Sequence, residues 1–470
     1  MTASPSVLLI ASDTIGERMA GSGIRYWNMA RVIGLRQAVT LATPNEVALD
    51  TPPGVRIVVY GSAGATEDER GRRLAELVAE HDVVVAQHVP YLYADPAVLD
   101  SRHIVVDLYA PWILEKLEYA RVDPERGEPD RRDDLTILKR LLGLGDFFLC
   151  ASERQRDYWL GALTVAGRLE PAHMRADPAL RSLIDVVGFG LPAGKPRKTG
   201  PGPRSVYPAI GDDDPLLIWN GGVWNWLDPL TAIRAVAVLA RSTPELRLVF
   251  MGVRSPGAHV AEMGIVDQAV ALASDLGVLD RNVFFNDWVA YDERQNWLLD
   301  ADAALSLHVE TVEARYAYRT RVMDMLWCGL PAVVSDGDVL ADLVRDEDIG
   351  EVARPGDVAS VVAAIERVLA PDRGFAIRSH LADVAERFTW DRVCEPLARY
   401  CREPWKLSPA RGGDPGAEYL AQLERLYSET AQYARQLEAA VAERDTELAA
   451  RRKRRTRPDL NSLFDRAKRG

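Results

Sequence analysis

The chain has 470 residues, more than the roughly 250–300 at which a single hydrophobic core stops growing, and this length indicates two domains. Its formal net charge is −12, and residues 451–470 form a basic end with nine Lys or Arg and two Asp. The rest of the chain therefore carries −19, and because nucleic acid needs a basic surface we expect no nucleic-acid partner. No apolar stretch reaches the ~20 residues that cross a bilayer, and no basic region precedes the first apolar run, so we expect a cytoplasmic protein.

The first part of the chain alternates apolar segments of strand length with amphipathic segments of helix length. This alternation predicts βαβ units around a parallel sheet, and so a first Rossmann-like domain over residues 1–192. Ser152 followed three positions later by Gln155 predicts a capping box at the start of a helix. The predicted strands are 6–11, 38–42, 55–60, 82–86, 103–108 and 146–151, and the predicted helices are 24–36, 68–80 and 153–163.

A linker and a second alternating series follow. Residues 193–214 are rich in Pro, Gly and charge and predict a linker, because such a stretch cannot pack. Residues 215–402 predict a second Rossmann-like domain, whose last helices are candidates for crossing back to the N-terminal domain. Asp228 and Pro229 predict an N-cap and a first helical turn. The predicted strands are 216–220, 246–251, 282–286, 303–307 and 331–335, and the predicted helices are 229–242, 259–276, 292–300, 318–328 and 357–370.

The end of the chain has a different pattern. Residues 403–416 form a second predicted linker, and apolar residues over 417–450 are spaced alternately by four and three, which predicts a coiled coil and therefore a homo-oligomer. A single helix packed on the globular body remains the alternative, because two of the heptad positions are weak core residues. For the basic tail 451–470 we expect peripheral contact with an anionic membrane. The heptad positions are Tyr419, Leu423, Leu426, Thr430, Tyr433, Leu437 and Ala440.

A glycine-containing loop follows the first strand of each predicted domain. Gly21 and Gly23 precede the helix 24–36, so a ligand can approach backbone N–H groups at a positive helix end there. A dinucleotide fingerprint would need a third glycine and an acidic residue after the second strand, where Ala42-Thr43-Pro44 stands, so the pattern disfavours an NAD enzyme. A structural loop without a ligand remains the alternative.

The corresponding loop of the second domain carries two glycines and two tryptophans. Gly221 and Gly222, just ahead of a helix, predict a cradle for a diphosphate. Trp224, with Asn225 beside it, and Trp226 offer flat faces to a base or a sugar. The alternative is that both tryptophans belong to the core.

Residues 307–335 run from the end of one predicted strand through a loop and a helix into the next strand. Ligands of open α/β sheets bind at such strand ends. Arg319 and Arg321 can neutralise a diphosphate, and the Asp324 carboxylate can accept two hydrogen bonds from a ribose diol. A solvated helix face is the alternative.

These motifs together resemble the family 4 (GT-B fold) retaining glycosyltransferases over about residues 5–400. Asp324-Met-Leu-Trp-Cys-Gly329-Leu-Pro331-Ala-Val-Val stands where that family has Glu-Ala-x-x-x-Gly-x-Pro-Val-Val, and Gly21-Ser-Gly-Ile-Arg25 and Phe388-Thr389-Trp390 are similar too. The resemblance implies an acceptor domain followed by a nucleotide-sugar domain. It also implies transfer of a sugar, with retention, from a nucleoside diphosphate sugar to an acceptor hydroxyl of a glycan or lipid-linked molecule in cell-surface polysaccharide or glycoconjugate synthesis, without a metal or further cofactor.

The chain departs from the family pattern at two places. The family has two glutamates eight positions apart, whereas here Asp324 stands at the second position and Tyr316 at the first, so we expect Glu310 or Glu313 to supply the missing carboxylate. An Arg and a Lys early in the second domain are also absent, which would leave the phosphate charge to the two arginines of the later helix. A catalytically silent nucleotide-sugar-binding subunit and a sugar-nucleotide epimerase of similar fold therefore remain alternatives.

Other polar residues stand at predicted strand ends. His88 follows strand 82–86 and Asp107 ends strand 103–108, so we expect both to point into the cleft and contact the acceptor or the donor sugar. His308, which ends a strand of the second domain, is a similar candidate. Ordinary loop hydrogen bonding is the alternative. The pairs Asp300-Ala-Asp302 and Asp336-Gly-Asp338 have the Asp-x-Asp form that holds Mn²⁺ in other glycosyltransferases, but a helix-to-strand junction and an N-cap explain them more simply.

Overall fold

The computed structural model describes residues 4–17, 19–61, 65–87, 94–122, 124–253 and 264–407, together with Leu437, Val441 and Arg444. One compact unit spans Met1–Arg411, and a second unit spans Gly412–Gly470. Apart from those three single positions, the predicted coiled coil and basic tail lie outside the described residues, so both stay predictions. Among the described helices, none has the length and apolarity that crossing a bilayer requires.

The first domain is built on a sheet of seven parallel strands. Its apolar strands are buried on both faces, as continuous runs such as Val83–Ala86 predict. The strands are β1 (Val7–Ile10), β2 (Val39–Thr43), β3 (Val55–Val59), β4 (Val83–Ala86), β5 (His103–Asp107), β6 (Phe147–Cys150) and β7 (Ile184–Val186). Their order is β3-β2-β1-β4-β5-β6-β7, so the direction of winding reverses between β1 and β4. Ligands of such sheets bind at this switch point, outside the carboxyl ends of the strands.

The helices of the first domain include a hairpin that the sequence pattern did not predict. Helices α4 and α5 lie between β5 and β6 and contact each other along their length. Helix α1 begins at Gly21, three residues before the predicted start. The helices are α1 (Gly21–Gly34), α2 (Glu67–Glu80), α3 (Pro96–Ser101), α4 (Trp112–Val122), α5 (Pro124–Leu144), α6 (Glu153–Val165) and α7 (Pro171–Ala176), and α8 (Pro203–Val206) lies in the predicted linker.

The second domain repeats the architecture with six parallel strands. The order is β10-β9-β8-β11-β12-β13, and the switch point lies between β8 and β11. The strands are β8 (Leu216–Trp219), β9 (Arg247–Phe250), β10 (Val283–Phe285), β11 (Ala303–Ser306), β12 (Ala332–Ser335) and β13 (Gly350–Ala353). The two sheets confirm the predicted α/β fold with two Rossmann-like domains.

The helices of the second domain follow the predicted alternation, with the short helix α12 as an unpredicted addition. Asp228 caps α9 by accepting from the Thr231 N–H at 2.9 Å. Helix α13 stops at Gly329, whose φ of +64° is the left-handed conformation that favours glycine after a helix. The helices are α9 (Pro229–Leu239), α10 (Gly264–Asp275), α11 (Arg294–Leu298), α12 (Val312–Tyr316), α13 (Thr320–Trp327), α14 (Val339–Asp346), α15 (Val358–Leu369), α16 (Pro371–Ala385), α17 (Trp390–Val393) and α18 (Glu395–Arg402).

The last helices pack on the first domain. The Tyr400 ring on α18 stacks on Phe147 of β6 with ring centroids 4.7 Å apart. Beyond α18, the Trp405 indole N–H donates to the Ser182 carbonyl oxygen at 2.8 Å. The C-terminal helices therefore follow the second domain in the sequence but pack on the first domain, beside its strand β6.

Candidate functional site

A cavity of about 170 Å³ lies between the two domains. It opens beyond the carboxyl ends of β1 and β8, the strands beside the switch points of both sheets. The first domain contributes Met19, Ala20, Gly21, Ile24 and Phe189 to its wall. The second domain contributes Asn220, Gly221, Gly222, Trp224, Met251, Gly252, Trp288, Val289, Tyr291, Arg294, Leu298, Thr320, Arg321 and Asp324.

The two glycines of the first loop have different surroundings. Gly21 opens α1 and lines the cavity, and its N-cap residue Ala20 offers no side-chain acceptor to the first helical N–H groups. A Cβ at Gly23 would lie 2.5 Å from the Thr14 carbonyl oxygen. Gly23 is therefore required for packing the helix on its own loop, and Gly21 is the member of the pair placed to face a ligand.

The second loop brings its glycines and Trp224 to the cavity wall. Gly221 has a φ of +80°, and the Gly222 carbonyl oxygen points toward α13. The indoles of Trp224 and Trp226 are stacked, with ring centroids 5.7 Å apart and an interplanar angle of 6°. Asn225 lies in the turn between them and is not among the residues that line the cavity.

Two arginines of the second domain line the cavity, Arg294, which is paired with Asp324, and Arg321, which has no carboxylate hydrogen-bonded to it among the described residues. The Arg321 Nη2 donates to the Gly222 carbonyl oxygen at 2.8 Å, and its guanidinium lies over the Trp219 ring at 5.4 Å. Its buried Nη1 has no hydrogen-bond acceptor among the described residues. Burial, and then the charge of neighbouring Arg319, lower the pKa of Arg321 to about 9. A buried cation without full compensation favours an anionic ligand.

Asp324 lines the same cavity one turn further along α13, and Arg294 holds it. The Arg294 Nε donates to Asp324 Oδ1 at 3.0 Å, and the Arg294 guanidinium stacks on the Tyr291 ring at 3.8 Å. The carboxylate is thus oriented through one oxygen. Sequence reasoning missed Arg294 and Tyr291, because no spacing rule connects a residue with a partner thirty positions away.

Arg319 has a different environment from the one that the sequence led us to expect. Its guanidinium donates from both terminal nitrogens to the Glu313 carboxylate, at 3.0 and 2.6 Å, and both side chains are buried. Neither residue lines the cavity. The charge of Arg319 is neutralised within the protein, and Glu313 is used for that purpose. Glu310 is exposed on the loop after β11 and does not line the cavity either.

The sequence predicted that Asp107 would point into the cleft, but its carboxylate is turned to Arg25 instead. Its carboxylate accepts from Arg25 Nε and Nη2, both at 2.9 Å, and both side chains are fully buried. The pair forms because burying either charge alone would be costly. The other predicted residue of this domain, His88, lies outside the described residues.

The other polar residues that the sequence singled out at strand ends contact nearby backbone or side-chain groups. Asp338 accepts from the Leu340 and Ala341 N–H groups at 2.9 and 2.7 Å and so caps α14. The His308 Nε2 lies 3.5 Å from Asp338 Oδ2. Asp302 accepts from the Leu216 N–H at 2.8 Å. Within the described ranges, no three potential ligand side chains converge as a metal ion would require.

The second domain matches a known family by sequence. Residues 214–371 match the family model described as "Glycosyl transferases group 1". A D-inositol 3-phosphate glycosyltransferase from Acidothermus cellulolyticus is 25% identical over 236 residues, which are 47% of this chain and 51% of that protein. The chain thus spans about half the length of this curated relative.

Solved glycosyltransferase structures share the whole fold. The sucrose-phosphate synthase from Thermosynechococcus elongatus has a TM-score of 0.59 and 15% identity, over 85% of this chain and 98% of that one. Anabaena Alr3699/HepE in complex with UDP and glucose has a TM-score of 0.55 and 15% identity, over 84% and 98%. WaaG, a glycosyltransferase involved in lipopolysaccharide biosynthesis, has a TM-score of 0.56 and 16% identity, over 85% and 100%. Residues 214–371 are thus similar to the glycosyl transferases group 1 family, and the chain has the two-domain GT-B fold that its sequence predicted.

Proposed function

We propose that this protein is a glycosyltransferase that moves a sugar from a nucleoside diphosphate sugar to an acceptor hydroxyl. Arg321 carries the proposal, because its buried Nη1 lacks an acceptor among the described residues and a diphosphate supplies one. Asp324, one turn away on the same helix, offers a carboxylate for the ribose hydroxyls. The fold shared with HepE, which was solved with UDP and glucose, supports the same class of donor.

In this proposal, catalysis is mainly electrostatic. Negative charge grows on the leaving diphosphate, and Arg321 and the positive end of α1 at Gly21 both face the place where it grows. These groups are fixed by the fold, so they need little reorganisation during the reaction. We propose retention at the anomeric carbon, as the family resemblance implies, and transfer without a divalent metal ion.

We assign the acceptor to the first domain and propose a glycan or a lipid-linked molecule in cell-surface polysaccharide or glycoconjugate synthesis. The basic tail 451–470 would hold the enzyme at an anionic inner membrane surface, where lipid-linked acceptors lie, and residues 417–450 would pair chains into a homo-oligomer. Cutting the chain after residue 405 should give a monomer that binds donor and no longer sediments with anionic vesicles. Light scattering and sedimentation that show no difference from the full chain would contradict this part.

A catalytically silent nucleotide-sugar-binding subunit is a second candidate, and one observation favours it. Asp324 is the only carboxylate among the residues that the structure places along the cavity, since Glu310 is exposed and Glu313 is paired with Arg319. A glutamate facing the donor sugar, which the family resemblance implies, is thus not found in that wall.

Thermal shift with UDP, GDP, ADP and dTDP sugars tests the proposal, because a bound donor raises the melting temperature by mass action. The donor that stabilises most would then be incubated with the protein, with and without a lipid extract. Release of nucleoside diphosphate that increases with the extract supports a transferase. Binding without turnover supports the silent subunit, and a new sugar nucleotide indicates an epimerase. If no donor or nucleoside diphosphate stabilises the protein, the proposal is wrong.

A further inference from the structure

Helix α12 belongs to the second domain, but the first domain caps its C-terminal end. The last carbonyl groups of a helix have no N–H partner within the helix. Here the Arg315 carbonyl oxygen accepts from Arg154 Nη1 at 3.2 Å, and the Tyr316 carbonyl oxygen accepts from Gln155 Nε2 at 2.8 Å. Both donors lie in the first turn of α6. Two side chains of one domain therefore fix the end of a helix of the other.

The Gln155 side chain is held at both amide atoms. Its Oε1 accepts from the Ala151 N–H at 2.8 Å while its Nε2 donates to Tyr316, and the side chain is fully buried. The capping box predicted at this position is thus only half formed. Ser152 Oγ accepts from the Gln155 N–H at 3.1 Å, but the glutamine side chain reaches Ala151 and the other domain instead of returning to Ser152.

The contact continues past α12. The rings of Tyr158 on α6 and Tyr316 lie 4.9 Å apart. Tyr318 lies next to Gly188 of the first domain, where an added Cβ would be in ordinary contact with the tyrosine hydroxyl oxygen at 3.4 Å. The whole segment 315–318 is therefore seated on the first domain.

From α12, direct contacts lead to the cavity. Glu313 on α12 holds both terminal nitrogens of Arg319, the residue that immediately precedes α13. Arg321 is the second residue of α13 and lines the cavity, and its buried Nη1 has no acceptor among the described residues. The position of α12 therefore sets where α13 begins, and so where the Arg321 guanidinium lies.

We infer that Gln155 and Arg154 are positioning residues for the nucleoside diphosphate: by holding α12 they keep Arg321 where its Nη1 meets the phosphates. This inference rests on the proposed function for the identity of the ligand. Its consequence is that the first domain, which carries no phosphate-binding arginine of its own in the described cavity wall, helps to set donor affinity. Donor binding and the contact between the domains are then coupled, each strengthening the other.

Two variants of Gln155 test the inference. Gln155→Glu keeps an oxygen for the Ala151 N–H but removes the donor to the Tyr316 carbonyl oxygen at unchanged size, and Gln155→Ala removes both bonds. Calorimetry with whichever of UDP, GDP, ADP and dTDP binds the wild type most tightly should show binding about 3–10-fold weaker in each variant. Circular dichroism spectra should match the wild type. Gln155→Glu buries a carboxylate and Gln155→Ala leaves a small cavity, so if one variant proves poorly folded the other decides.

Arg36→Ala provides a matched control. Arg36 on α1 pairs with Glu395 on α18 at 2.5 Å, so it also ties the first domain to the helices that follow the second. It does not touch α12. Arg36→Ala should leave nucleoside diphosphate affinity unchanged. If Arg36→Ala and Gln155→Glu weaken nucleoside diphosphate binding equally, then loosening any contact between the domains lowers the affinity, and the inference is wrong.

A double-mutant cycle separates positioning from a purely structural role. If Gln155 acts through Arg321, combining Gln155→Glu with Arg321→Lys should weaken binding no more than the stronger single change does. The inference is overturned if the losses of binding free energy in the two single variants add up in the double variant. It is also overturned if Gln155→Glu binds as tightly as the wild type while Arg321→Lys binds more weakly. Either result leaves the proposed function standing. Failure of the wild type to bind any of the four nucleoside diphosphates would overturn both.

Discussion

Each domain has a glycine-containing loop after its first strand and a buried arginine on a helix of the same sheet, Arg25 on α1 after β1 and Arg321 on α13 after β11. The two arginines have opposite surroundings. Arg25 in the first domain is completely partnered, since both Asp107 oxygens and two backbone carbonyl groups accept from it. Burial works against its charge, but Asp107 outweighs burial and holds the pKa of Arg25 above its ordinary value. This arginine joins β5 to the end of β7 through hydrogen bonds from all three of its guanidinium nitrogens.

Arg321 in the second domain has one carbonyl partner, and among the described residues its Nη1 has no acceptor. Burial, and then the charge of the neighbouring Arg319, lower its pKa instead of raising it. The comparison shows how one fold can use a buried arginine for stability at one switch point and keep another available for an anion at the other. Sequence position alone does not separate the two cases.

The largest effect in this comparison should come from Arg25→Met. The change leaves Asp107 buried without its cation, which typically costs about 3–5 kcal/mol of folding free energy. Urea unfolding measures the loss. Arg321→Met is the matched control, because no buried carboxylate depends on Arg321, and it should cost less than about 1 kcal/mol. Equal losses at the two positions would contradict the distinction between a partnered and an unpartnered arginine.

The same contrast holds for two carboxylates, because Asp107 is fully paired with Arg25 whereas Glu115 on α4 lacks such a pairing among the described residues. Burial first, and the nearby Glu313 second, raise the pKa of Glu115 to about 7, against the opposing charge of Arg319. Between about pH 4.5 and 7 the folded protein then keeps a proton that the unfolded chain has released, so the free energy of unfolding falls as pH rises through that window.

Glu115→Gln should remove this pH dependence. The variant should be more stable than the wild type by up to about 3 kcal/mol at pH 8, and the difference should vanish near pH 4.5. Urea unfolding of both proteins at the two pH values measures it. A Glu115→Gln variant that is less stable at pH 8 would show that the ionised carboxylate is stabilised by Arg319 instead of destabilised by burial.

Arg321→Ala should weaken nucleoside diphosphate binding by about 1.5–3 kcal/mol, the usual range for a charged hydrogen bond. Arg321→Lys keeps the charge but loses the planar fork, so its affinity should fall between those of wild type and alanine. Arg319→Lys should be compared with it, because Arg319 is bound to Glu313. Arg319 should therefore affect nucleoside diphosphate binding only by positioning α13. Calorimetric titration that shows unchanged affinity in Arg321→Ala would remove Arg321 from the diphosphate site.

The sequence predicted the sheets well because each strand had a single physical solution. A run such as Val83–Ala86, apolar on both faces and bounded by polar residues, can only be an interior strand of a parallel sheet, and its predicted bounds differ from the structure by one residue. Helices α4 and α5 were missed for the opposite reason. Charges dominate the first half of residues 124–144, and the buried Leu138, Leu141 and Leu142 lie only in its last two turns, too short a run for the periodicity to reveal the helix.

The site was predicted less completely, because pairing decides which polar residues are available. Arg321 and Asp324 could be found from their place at the start of a helix after a strand end. The sequence could not show that Arg319 would be occupied by Glu313, or that Asp107 would meet an arginine 82 positions away. Such pairs are set by tertiary packing, and their members look like candidate ligands until the partner is seen.

The smallest effect should come from removing divalent ions. In the proposed mechanism Arg321 and the positive end of α1 offset the charge on the leaving diphosphate, so we expect EDTA to change the rate of sugar transfer by less than about twofold. The Asp-x-Asp pairs are used elsewhere: Asp302 accepts from the Leu216 N–H, and Asp338 caps α14. Activity that EDTA abolishes and Mn²⁺ restores would contradict this prediction. Asp300→Asn and Asp336→Asn would then identify which pair binds the ion, because only the variant of the true site would lose the rescue by Mn²⁺.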